Sequence, residues 1–146
     1  MILALALGTP LRGDDAAGSA IARGLEVLLP GLEVIEATEL LPEHAEAAAR
    51  AEVVLFLDAS VSGTPGEVRM EPVAPRTARA AVLHALMPEE ILGLARALYG
   101  RAPPASLVTV AGKDFAFGDG LSPEVEAALP EARRRAAEAV RAFDAA

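Results

Sequence analysis

The segment Val53-Val54-Leu55-Phe56-Leu57-Asp58 sets five apolar residues in a row and stops on an acid. A continuous rather than alternating apolar run of this length suits a strand covered on both faces, as in a parallel sheet. Met1–Leu7, closed by Gly8, has the same character. Between the two runs the pattern predicts a helix over Asp15–Leu29, where Ile21, Leu25 and Leu28 fall at i, i+4 and i+7 before Pro30-Gly31 stops it. A strand over Leu32–Glu36 and a short Ala-rich helix over Pro42–Arg50 follow. Beyond the central run come a turn over Ser62–Gly66, an alternating edge strand over Glu67–Glu71 and a loop over Pro72–Ala80. Pro88-Glu89-Glu90 starts another helix, with proline at its first position and acids in its first turn, and Gly100 closes it. Ser106–Ala111 is a further buried strand, and Gly112–Gly120 a glycine-bounded loop. Ser122 caps a long last helix whose buried stripe is Val125, Leu129, Ala136, Val140 and Phe143.

Alternating strands and helices predict an α/β fold with a mostly parallel sheet covered on both faces. Ligands of such sheets bind beyond the carboxyl ends of the strands, where the chain order reverses. In a sheet that starts 2-1-3 the reversal lies between strands one and three, which singles out the loops after Leu7 and after Leu57.

The chain of 146 residues suits one domain, taken as 1–146. With 33 Ala, 20 Leu and only 3% aromatics, its core must be built from small and branched aliphatics. The charge balance, 13 − 21 = −8, opposes contact with phosphate backbones and argues against a nucleic-acid partner. No run approaches the roughly 20 apolar residues of a membrane span. The opening Met1–Leu7 is too short and lacks the basic flank of a signal peptide. Cys is absent, which excludes disulfides, thiolate metal sites, iron–sulfur clusters and a cysteine nucleophile. These features predict a cytoplasmic protein without a membrane partner. The absence of Asn and Gln, and 12 Arg beside the single Lys113, fit a thermophile.

Both loops at the switch point carry acids. After the first strand comes Gly8-Thr9-Pro10-Leu11-Arg12-Gly13-Asp14-Asp15, and after the third comes Asp58-Ala59-Ser60. Two carboxylates converging on one crevice can hold a cation or divide acid and base roles. His84, just before the Pro88 helix, stands on a segment able to fold over the same edge. Asp15, Asp58 and His84 together would make a three-ligand site with open positions, better suited to zinc, nickel or iron than to magnesium. Blander roles are open to each. Asp14 suits a helix N-cap, Asp15 serves equally as a first-turn acid, Asp58 as a solvated strand end, and a lone histidine such as His84 is more often a surface or satisfied core residue. His44 reads as solvent-facing, and Arg133-Arg134-Arg135 as the wet side of the last helix beside neutralising glutamates.

Several motifs fail. Gly8…Gly13 lacks dinucleotide-fingerprint spacing, no phosphate-binding Gly-x-x-x-x-Gly-Lys-Ser/Thr loop exists, and no Gly-x-Ser-x-Gly elbow is present. Asp14, Asp15, Asp58 and Lys113 can be mapped onto the phosphoacceptor site of receiver domains. In those domains, however, the acidic pair stands directly at the strand end, whereas Gly8–Gly13 intervenes here.

The stretch Leu5-Ala6-Leu7-Gly8-Thr9-Pro10-Leu11-Arg12-Gly13-Asp14-Asp15-Ala16-Ala17-Gly18 resembles the opening of the hydrogenase maturation endopeptidases. Similar in order are Val54-Leu55-Phe56-Leu57-Asp58-Ala59 with Pro65-Gly66, then His84-Ala85-Leu86, then Gly120-Leu121-Ser122-Pro123-Glu124-Val125-Glu126-Ala127-Ala128. The resemblance implies a three-layer α/β/α sandwich around a mostly parallel, five-stranded mixed sheet. It also implies an endopeptidase that removes the C-terminal extension of a [NiFe]-hydrogenase large-subunit precursor. The nickel is carried by that substrate, zinc or another divalent metal could substitute, and the family's metal-binding and catalytic positions fall on Asp15, Asp58 and His84. Departures are Thr9 for the family's Asn, Ala37-Thr38-Glu39-Leu40-Leu41 for its small-residue loop, and Ala85-Leu86-Met87 after the histidine. The altered loops leave open a non-catalytic metal-binding module of the same fold. The sequence does not specify the oligomeric state.

Overall fold

The computed structural model describes residues 1–78, 85–118 and 120–144. Five strands form one sheet: β1 (Ile2–Leu7), β2 (Glu33–Ala37), β3 (Val53–Ser60), β4 (Val68–Pro72) and β5 (Ala105–Ala111), in the order β2-β1-β3-β5-β4. All neighbours are parallel except β4, which runs antiparallel to β5. The order begins 2-1-3, so the reversal falls between β1 and β3 as predicted.

Alternate residues of the central strands feed two cores. Leu3, Leu5 and Leu7 of β1, with Val54 and Phe56 of β3, face helices α3 (His44–Arg50) and α4 (Pro88–Tyr99). Ala4 and Ala6, with Val53, Leu55 and Leu57, face α1 (Ala17–Ala22), α2 (Leu25–Leu28) and α5 (Pro123–Asp144). Burial on both faces is the physical reason that these strands read as unbroken apolar runs. The architecture is the three-layer sandwich around a mixed sheet. Truncating the fully buried Phe56 to Ala should cost about 3–5 kcal/mol, the usual range for an aromatic in a packed core.

The small side chains on the α1 face allow close approach. A Cβ on Gly18 would lie 2.5 Å from the carbonyl oxygens of both Leu7 and Leu57, so α1 rests directly on the ends of β1 and β3. This contact delivers the start of α1 to the gap between the two strands.

Four local expectations change. The predicted helix Asp15–Leu29 is in pieces: a 3-10 turn at Gly13–Ala16, then α1, then α2. Gly24 breaks it with φ of +82°, a left-handed conformation, and the Arg133 guanidinium takes the carbonyls of Ala20 and Ile21 at the end of α1. Arg133 is therefore a cap on another helix, whereas Arg134 pairs with Glu131 and Glu138 as expected. The third strand runs three residues beyond Leu57, because Asp58, Ala59 and Ser60 pair with Thr109, Val110 and Ala111. Finally, His44 is buried rather than solvent-facing.

Candidate functional site

Four loops and the start of α4 meet at the carboxyl edge of the sheet. The loop after β1 folds back tightly: Gly8 has φ of +118°, and a Cβ there would lie 2.0 Å from the Asp15 carbonyl oxygen. Only glycine fits this position. The next residue, Thr9, donates its backbone N–H to Asp15 Oδ2 at 2.8 Å, which fixes the direction of that carboxylate. Asp58 sits near the end of β3 and accepts the N–H of Ala59 at 2.8 Å.

Asp15 and Asp58 line one cleft of about 290 Å³. Its other walls are Leu7 and Gly8, the post-β2 residues Thr38–Leu40, Leu107, and Ala85–Pro88 leading into α4. Burial pushes the Asp58 carboxyl up to about 6, against the pull of the Ala59 N–H, and the charge of Asp15 adds to the rise. Neither acid has an ion-pair partner among the described residues. Paired carboxylates of this kind, one of them destabilised in its charged form, suit a cation or a proton-transfer role.

His84 lies outside the described residues. Ala85, directly after it in the chain, is on the cleft wall. Among the described residues no group of three or more His, Asp or Glu side chains is placed to hold a metal ion. Of the predicted set, Asp15 and Asp58 are the two that the described residues bring to one cleft. Glu39 is a third carboxylate on the cleft that was not among the predicted site residues. The signal available for it was its place in the loop after β2, at the same sheet edge.

Asp14 is neither a ligand nor the cap of its own helix. It is fully buried, and α1 has no side-chain cap. Its Oδ2 accepts the N–H of Lys113 (2.7 Å), the N–H of Asp114 (3.0 Å) and the hydroxyl of Ser122 (2.8 Å), while Oδ1 accepts the Ser122 N–H (2.7 Å). Burial alone would raise its pKa. The backbone donors of Ser122, Asp114 and Lys113 outweigh burial and hold it below the usual carboxylate range. Asp14 is in effect an internal anion at the start of α5. The Lys113 Nζ pairs with Glu124 at 2.7 Å and Lys113 lines a different cavity, of about 430 Å³. These placements, and the antiparallel β4, remove the receiver-domain reading, whose sheet runs 2-1-3-4-5 in parallel.

No family model matches the chain, and no curated protein matches it in sequence. Solved structures do match. The hydrogenase maturating endopeptidase HybD from E. coli superposes with a TM-score of 0.74 at 24% identity, covering 97% of this chain and 93% of that one. The [NiFe] hydrogenase maturation protease HybD from Thermococcus kodakarensis gives 0.67 at 25% identity, covering 94% and 97%. In fold, the chain resembles the hydrogenase maturation endopeptidases. A solution structure of an endopeptidase from Escherichia coli matches equally well, with a TM-score of 0.74 at 25% identity over 97% of this chain and 93% of that one. The maturation-endopeptidase likeness therefore spans nearly the whole chain, from β1 to α5. No helix among the described residues is long and apolar enough to cross a membrane.

Proposed function

We propose that this protein is an endopeptidase that removes the C-terminal extension of a nickel-loaded [NiFe]-hydrogenase large-subunit precursor. The observation that carries the reading is the convergence of Asp15 and Asp58 on one cleft, whose wall also holds the residue following His84. The whole-chain likeness to maturation proteases supports it.

On this reading Asp15, Asp58 and His84 recognise nickel already seated in the substrate, and zinc or another divalent ion substitutes in binding assays. The donor set fits such an ion: two carboxylates whose mutual repulsion a cation relieves, with an imidazole as the third ligand. The metal supplies Lewis-acid polarisation of the nearby scissile carbonyl. A carboxylate of the cleft accepts the proton of the attacking water. Asp15, held by the Thr9 N–H, is the fixed donor that orients the ion.

The direct experiment incubates nickel-loaded precursor with wild type and with Asp15→Ala, Asp58→Ala and His84→Ala. The wild type should cleave, and each variant should lose at least about 100-fold while keeping its circular dichroism spectrum. No cleavage by the wild type, or variants equal to it, ends this reading. Metal binding without cleavage of any precursor would instead favour the non-catalytic module.

A further inference from the structure

The second histidine lies outside the cleft, beside the place where two of its walls meet. His44 opens α3 and is 9% exposed. Its Nδ1 accepts the Leu41 N–H at 2.9 Å, while its own backbone N–H donates to the Leu41 carbonyl at 2.9 Å. The two residues are thus tied in both directions. The bond assigns the tautomer: Nδ1 must be unprotonated to accept, so the ring proton sits on Nε2. One residue before Leu41, the buried Leu40 forms an antiparallel backbone bridge with the buried Leu86. Leu40 belongs to the Thr38–Leu40 wall of the cleft, and Leu86 to the Ala85–Pro88 wall. Helices α3 and α4, which follow these walls, pack against each other.

From this arrangement we infer that His44 is a positioning residue for the cleft. By accepting the Leu41 N–H it fixes the backbone that bridges to Leu86, so one imidazole sets the spacing of both walls that face Asp15 and Asp58. A histidine suits the place because the other buried residues of α3 are all alanines, Ala45, Ala47, Ala48 and Ala49. The ring supplies buried volume and an acceptor together, which no alanine can. That the spacing serves peptide cleavage rests on the endopeptidase reading above; that His44 sets the spacing does not.

The test uses the full chain as wild type, His44→Leu and His44→Asn. Leucine keeps the apolar volume and removes the acceptor, whereas the asparagine carbonyl restores an acceptor near the place of Nδ1. Backbone amide hydrogen exchange reads the walls directly. In wild type the Leu41 amide and segment 85–87 should open together, as one unit. In His44→Leu both should exchange at least about tenfold faster, while His44→Asn stays within about threefold of wild type. With precursor, His44→Leu should raise KM about tenfold and leave kcat within about threefold. The inference falls if Leu41 and segment 85–87 open independently in wild type, if His44→Leu leaves segment 85–87 unchanged, or if His44→Asn fails as badly as His44→Leu. A His44→Leu chain that does not fold also overturns it, because the acceptor would then hold the whole fold rather than the cleft. The exchange measurements need no protease activity, so an inactive wild type would count against the endopeptidase reading and leave this inference to be decided separately.

Discussion

Two cavities open on the same edge of the sheet, and the larger is the quieter. In the one of about 430 Å³, Lys113 is paired with Glu124, Asp14 behind its wall takes four hydrogen-bond donors, and the remaining carboxylate, Asp114, is exposed to solvent. In the one of about 290 Å³, Asp15 and Asp58 each accept one backbone hydrogen bond from the described residues and repel one another. Asp14 and Asp15 are neighbours in the chain, yet one closes a structural junction and the other faces a cleft. Unbalanced charge, not volume, marks the place where chemistry can happen.

This contrast can be broken most severely at Asp14. Asp14→Asn turns an acceptor into a donor facing buried N–H groups and should destabilise by about 3 kcal/mol or more in denaturant unfolding. Since the Asp14 pKa is lowered on folding, its contribution is complete above the ordinary value of 3.8 and fades as pH drops further. The gap between wild type and Asp14→Asn should shrink accordingly in strong acid. A variant as stable as wild type at pH 7 would show that the junction is not holding the loops.

Asp58→Asn should act in the opposite direction. A rise from 3.8 to about 6 corresponds to a penalty of about 3 kcal/mol on the charged form, reduced by its partial exposure to about 1–2 kcal/mol. The penalty is present above pH 6 and is relieved as pH falls toward 3.8. The variant should therefore be more stable than wild type at pH 8 and equal to it near pH 4, and its deficit in metal binding should show at pH 8. Wild-type affinity for nickel or zinc should itself decline below about pH 6, as Asp58 takes up its proton, and titration calorimetry across pH 5–8 reads this. Affinity independent of pH over that range would remove Asp58 as a ligand.

A smaller effect should come from Ser122→Ala, which deletes one of the four donors to Asp14 and should cost about 1 kcal/mol. Least of all should follow from Lys113→Ala. Its pair with Glu124 is exposed, so neither thermal midpoint nor metal affinity should change measurably.

Much of this was legible in the chain. Val53–Leu57 and Met1–Leu7 announced themselves because each is buried on both faces, and the 2-1-3 order pointed to the loops holding Asp15 and Asp58. What stayed hidden depended on distant partners. The donors that claim Asp14 lie about a hundred residues away, so no local pattern separates it from Asp15. The break at Gly24 resembled a tolerated helical glycine, and the Arg133 side chain that closes α1 comes from the far end of the chain. The partner of His44 is only three residues off, but its burial comes from the packing of α3 on α4, which hydrophobic periodicity in an alanine-rich segment does not reveal.

The reversed direction of β4 has a practical consequence. Because it enters the sheet from the cleft side, the connector from Ser60 to Val68 crosses the end of β5 instead of passing beneath the sheet. Val61 through Pro65 is exposed there and contributes nothing to either core. Extra residues grafted into that connector would extend the rim beside Asp58 without shifting any strand register, so the mouth of the cleft can be reshaped while the sheet stays as it is.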